Sequence, residues 1–130
     1  MASINVIDES TSGGVLNTST LETENQELTV GELIALRVRA EVRRYNNERS
    51  DRYFGLVQPS DMEYAINGTM LRKFKPIDAD SQVDAALKGF EAQRFVVLLP
   101  NGQAESLTER VSLVDGDSVS FLRLVPLVGG

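Results

Sequence analysis

A capped amphipathic segment that follows two β-compatible stretches is the feature that most constrains the fold of this chain. Thr29 stands three residues before Glu32, so the threonine hydroxyl can accept from the Glu32 amide while the glutamate carboxylate accepts from the Thr29 amide. The pattern predicts a helix that begins here and ends at about Asn46. Its inward face recurs at steps of three and four residues: Val30, Leu33, Ile34, Val38, Val42 and Tyr45.

Strand-like segments precede and follow this helix. Ile4 and Val6 lead into the turn residues 11–14, and the Thr-rich stretch 15–24 follows, which predicts a hairpin. Further strands are expected at 95–99, near 104–107 and at 118–125. The order predicts one α+β domain over residues 1–130, with Ile4, Val6, Ile34, Val38 and Phe121 in a shared core.

Residues from about 47 to 93 form an insert between the first helix and the strand expected at 95–99. Residues 47–61 are predicted to be a loop with a buried patch, and Asn67-Gly68 predicts a small hairpin because both residues tolerate a positive φ. A second helix is expected from Asp78 or Asp80 through Arg94. The patch in the loop consists of Phe54, Leu56 and Val57.

The amino-acid composition excludes several kinds of chemistry. The chain has no cysteine and no histidine, which removes disulfides, thiol nucleophiles and every His-dependent catalytic triad. The start of the sequence lacks the basic and apolar regions of a signal peptide, and no apolar run approaches the roughly 18 residues that span a bilayer. We therefore expect a cytoplasmic protein that is not an enzyme and does not enter a membrane.

Charge is unevenly distributed along the chain. The net charge is −6, yet residues 37–52 carry six arginines against three acidic residues. An acidic protein is not expected to bind nucleic acid as its main task. The arginines could dock an acidic partner, but interleaved acids favour a solvated, salt-bridged helix face, with Arg37, Glu41, Arg44 and Glu48 on the polar side. The six arginines are Arg37, Arg39, Arg43, Arg44, Arg49 and Arg52.

Two aspartates near the end of the chain are candidate metal ligands. Asp115 and Asp117 could bind a hard cation together with Asp78 or Asp80, but Asp-Gly-Asp between strands is more typical of a turn. We assign no metal and no cofactor.

The C-terminal segment has the most specific pattern. The Asp-Gly-Asp turn at 115–117 leads into a strand, then Pro126, and the sequence closes on Gly129-Gly130. This segment resembles the end of β-grasp ubiquitin-like proteins, and most of all the ThiS and MoaD sulfur carriers. Residues 28–34 resemble the point where the first hairpin of that family passes into its helix. The insert is similar to additions in larger ubiquitin-like proteins of bacterial conjugation operons.

This resemblance implies a β-grasp fold with an inserted hairpin and a second helix, in which the first and last strands are adjacent and parallel. It also implies that a ubiquitin-activating-like enzyme adenylates the Gly130 carboxylate, which then accepts sulfur or is conjugated. A conjugating enzyme, a deconjugating metalloprotease and lysines of target proteins are implied partners. The flexible tail of about 125–130 would reach the activating enzyme because glycine has no Cβ and Pro126 favours an extended chain. The residues expected to contact that enzyme are Leu124, Val125, Pro126, Leu127 and Val128.

Two other functions stay open alongside this one. The domain could be an interaction or assembly module whose diglycine is never activated and whose apolar tail binds a groove or a sheet edge. It could also be a small-molecule-binding or catalytic domain that uses the insert, which the lack of His and Cys disfavours. The sequence does not choose between sulfur delivery and protein conjugation.

Overall fold

The computed structural model describes residues 2–12, 14–48, 55–57 and 76–124. These residues form two helices and seven strands. In chain order the elements are β1 (Ala2–Ser10), β2 (Val15–Thr23), β3 (Glu27–Thr29), α1 (Val30–Glu48), α2 (Ala79–Glu91), β4 (Phe95–Leu99), β5 (Gly102–Gln103), β6 (Arg110–Ser112) and β7 (Ser118–Arg123). The predicted α+β class is confirmed.

Five of the strands form one mixed sheet in the order β2-β1-β7-β4-β5. At its centre β1 runs parallel to β7, with Val6 opposite Val119. The hairpin partner β2 is antiparallel to β1, and β4 is antiparallel to β7. The expectation that the first and last strands lie side by side and parallel is therefore confirmed.

The core lies between this sheet and the two helices. The residues expected to share it, from Ile4 to Phe121, belong to one buried cluster. The Phe95 ring packs 6.1 Å from Phe121 and 6.0 Å from Phe90 of α2, measured between ring centroids. Because α1 and α2 both contact this set of side chains, they cover the same face of the sheet. Neither described helix combines the length and the apolar character that crossing a bilayer requires.

The ends of both helices follow from local hydrogen bonds. The Thr29 amide donates to Glu32 Oε1 at 2.8 Å, and the Glu32 amide donates to Thr29 Oγ1 at 3.1 Å, which confirms the predicted start of α1. Asp78 caps α2 by accepting from the Ser81 amide at 3.0 Å. The expected end at Arg94 was wrong, because Gln93 has a φ of 61° and the helix ends at Glu91.

A second, two-stranded sheet was not predicted. It pairs β3 with β6, with Leu28 opposite Val111. The strand expected near 104–107 was also wrong. Gly102 and Gln103 form β5 instead, and the chain then turns away so that the Leu107 carbonyl accepts from the Gly31 amide at 2.9 Å.

Part of the predicted insert is described. Leu56 is fully buried and Val57 is half-buried, as expected for two members of the predicted patch. The third member, Phe54, and the expected Asn67-Gly68 hairpin lie outside the described residues.

Candidate functional site at the base of the C-terminal segment

The chain leaves the sheet from its middle strand. β7 lies between β1 and β4 and ends at Arg123, after which the Leu124 amide donates to the Arg94 carbonyl at 3.0 Å. Leu124 is exposed. Of the predicted tail residues it is the one that the structure describes, since Val125, Pro126, Leu127, Val128, Gly129 and Gly130 lie outside the described residues.

A buried ion pair lies next to the end of β7. Arg37 of α1 donates from Nη1 to Asp8 Oδ1 at 2.5 Å and from Nη2 to Asp8 Oδ2 at 2.7 Å. The two side chains are 3% and 4% exposed. The guanidinium carbon also lies 4.5 Å from the centroid of the Phe121 ring, a cation–π distance. The pair therefore joins β1, α1 and β7 in the interior.

The placement of Arg37 on the polar side of α1 was wrong. Arg37 follows Leu33 by four residues and Ile34 by three, so it lies on the inward face. Asp8 likewise continues the buried alternation of Ile4 and Val6 in β1. The periodicity of both elements contained the signal for a buried pair, although each residue taken alone is of a type that is usually exposed.

Glu41 and Arg123 extend the pair into a four-residue cluster. Glu41 Oε2 accepts from Arg37 Nε at 3.0 Å, and its Oε1 accepts from the Leu56 amide at 3.1 Å. Arg123 Nη2 lies 4.0 Å from Asp8 Oδ2 and donates to the Gly55 carbonyl at 3.3 Å. We call Asp8, Arg37, Glu41 and Arg123 the buried charge cluster, after its buried members Asp8 and Arg37; Glu41 and Arg123 are half-buried. It connects the end of β7 to the described piece of the insert.

The cluster acts on its two arginines in opposite directions: it favours the charged form of Arg37 and disfavours that of Arg123. Burial by itself lowers the pKa of Arg37, but the hydrogen bond to Asp8 and the negative charges of Glu41 and Asp8 outweigh burial and leave the pKa raised. Burial lowers the pKa of Arg123 and the like charge of Arg37 lowers it further; the negative charges of Asp8 and Glu41 raise it but do not outweigh burial, so the pKa is lowered overall. Two guanidinium groups and two carboxylates together give the cluster no net charge.

The carboxylates of Asp8 and Glu41 bind neighbouring groups of the protein. Both Asp8 oxygens accept from Arg37, and the two Glu41 oxygens accept from Arg37 and from the Leu56 amide. A general base needs an oxygen within reach of a substrate proton. These carboxylate oxygens face protein donors, and the cluster reaches the end of β7 through Arg123.

The other described arginines of α1 lie at the surface, and two of them form salt bridges. Arg39 pairs with Asp80 at 2.9 Å and Arg44 with Glu48 at 3.6 Å, both at the surface. The predicted salt-bridged helix face is confirmed for these two residues. Arg43 is exposed, and Arg49 and Arg52 lie outside the described residues.

The aspartates considered as metal ligands have backbone partners. Asp115 Oδ1 accepts from the Ser3 amide at 2.7 Å and Asp117 Oδ2 from the Val114 amide at 2.9 Å, which confirms the turn. Asp78 caps α2 and Asp80 pairs with Arg39, so the partners of these two carboxylates lie in the helices and not in the turn at 115–117. Over the described ranges, no group of three or more acidic, His or Cys side chains is placed to hold a metal ion.

No family model matches the chain, and no curated protein or solved structure gives a significant match. The geometry of the described residues and the pattern of the sequence are therefore what support the function proposed below.

Proposed function

We propose that this chain is a β-grasp ubiquitin-like protein whose C-terminal carboxylate is the substrate of an adenylating enzyme. The observation that carries the proposal is the position of β7. This last strand lies in the middle of the sheet, parallel to β1, and runs directly into the segment that ends in the diglycine. A sheet of order β2-β1-β7-β4-β5 crossed by α1 is compatible with the β-grasp arrangement.

The chemistry takes place on the tail and is performed by the partner. The Gly130 carboxylate attacks the α-phosphate of ATP, pyrophosphate leaves, and an acyl adenylate forms. A sulfur donor then displaces AMP to give a thiocarboxylate, or a cysteine displaces it and passes the acyl group to a target lysine. A free carboxylate on a residue without Cβ suits a narrow nucleotide site.

The reach of the tail is consistent with this role. Six residues follow Leu124, and at roughly 3.4 Å per residue they extend about 20 Å when fully stretched. Pro126 restricts its own φ and disfavours a helical conformation at Val125. An extended segment loses less conformational entropy when it enters a partner's groove.

The buried charge cluster supports the same role by anchoring the base of the tail. Arg123 contacts Asp8 of β1 and Gly55 of the insert, and the Leu124 amide bonds to the Arg94 carbonyl. These contacts fix where the tail begins relative to the surfaces of the domain. A partner that binds those surfaces meets Leu124, after which the tail begins, at a constant position.

The proposal is tested with the adenylating enzyme of the same host by ATP–pyrophosphate exchange. Exchange is expected to depend on the added chain and to disappear when one residue is appended after Gly130 or when Gly129→Trp is introduced. The matched control is the same residue added before Met1. Exchange that continues with a blocked Gly130 would overturn the proposal, as would a chain that supports no exchange with any adenylating enzyme of its host.

A further inference from the structure

We draw no further inference here: the strongest candidate, the patch of half-buried apolar side chains on the sheet face opposite the helices (Ile7, Val96, Leu98 and Leu122), carries none because nothing in the described part of the structure shows what covers that face.

Discussion

Asp8 and Arg37 lie 29 residues apart in sequence and meet in the interior through two parallel hydrogen bonds. Asp8 belongs to a central strand and Arg37 to the inward face of α1, and the Phe121 ring of β7 covers the guanidinium. The pair thus links the helix to the two parallel strands of the sheet, one of which continues into the diglycine segment.

Breaking this pair from one side is expected to be costly. Arg37→Met or Asp8→Leu leaves a buried charge without its partner, and the free energy of unfolding is expected to fall by about 3–5 kcal/mol. The double variant, which removes both charges, is expected to lose less than the sum of the single losses. Urea denaturation of the wild type, the two single variants and the double variant measures the coupling free energy between Asp8 and Arg37. Strictly additive losses of stability would show that the two side chains do not stabilise each other.

Val38→Asp tests the placement of α1 on the sheet. Val38 is 1% exposed in the core, and a buried unpaired carboxylate costs several kcal/mol against a total stability of about 5–15 kcal/mol. We expect the domain to unfold. Arg43→Asp, an exposed position of the same helix, is the control and is expected to remain folded. Thermal unfolding followed by circular dichroism distinguishes the two, and an unchanged midpoint for Val38→Asp would refute the packing.

The capping box of α1 is expected to contribute measurably to the free energy of unfolding. Thr29→Ala removes the hydroxyl that accepts from the Glu32 amide, and the free energy of unfolding is expected to fall by about 1 kcal/mol. Thr29→Ser keeps a hydroxyl at the same position and should lose much less. Denaturant titration of both variants provides the comparison. Equal losses would mean that the threonine methyl, rather than the cap, stabilises this end.

Asp78 makes the cap of α2 dependent on pH. Hydrogen bonds from the Ser81 hydroxyl and amide lower the pKa of the Asp78 carboxyl below its usual value. A lowered folded-state pKa means that the charged form adds stability above the unfolded pKa of about 3.9 and that this stability is lost as pH falls through the folded-state value.

The thermal midpoint of wild type should therefore exceed that of Asp78→Asn near neutral pH, and the difference should shrink below about pH 4. Asparagine is the matched replacement because it can still accept at the cap but carries no charge. Midpoints measured across pH for both proteins test this. A difference between the two thermal midpoints that stays constant across pH would contradict a role for the Asp78 charge.

Local patterns predicted much of this fold. The capping box at Thr29, the first hairpin and the apolar faces of both helices are set by neighbouring residues, so the sequence indicates them directly. The pairing of β3 with β6 was missed because each strand has only three residues, too few for a period to be recognised. The end of α2 was misjudged because the positive φ of Gln93 is not visible in a composition or a periodicity.

The buried charge cluster shows a different limit of sequence reasoning. Arg37 and Asp8 each fit the inward spacing of their own element, but burial of a charge is favourable only when its partner is present. That partner is supplied by the tertiary fold, and Arg123 and Leu56 join from still more distant parts of the chain. The anchor at the base of the tail therefore became visible only in three dimensions.

Mass spectrometry of this protein recovered from its native host tests the central proposal most directly. Activation of the Gly130 carboxylate predicts a mature chain that ends at Gly130. It also predicts either an intact mass in which sulfur replaces one carboxylate oxygen or a Gly-Gly remnant on lysines of other proteins after digestion. A host strain in which one residue is appended after Gly130 should lack both species. Recovery of the unmodified chain alone, together with unchanged biological activity of the capped strain, would contradict the modifier proposal and favour an assembly module whose diglycine is never activated.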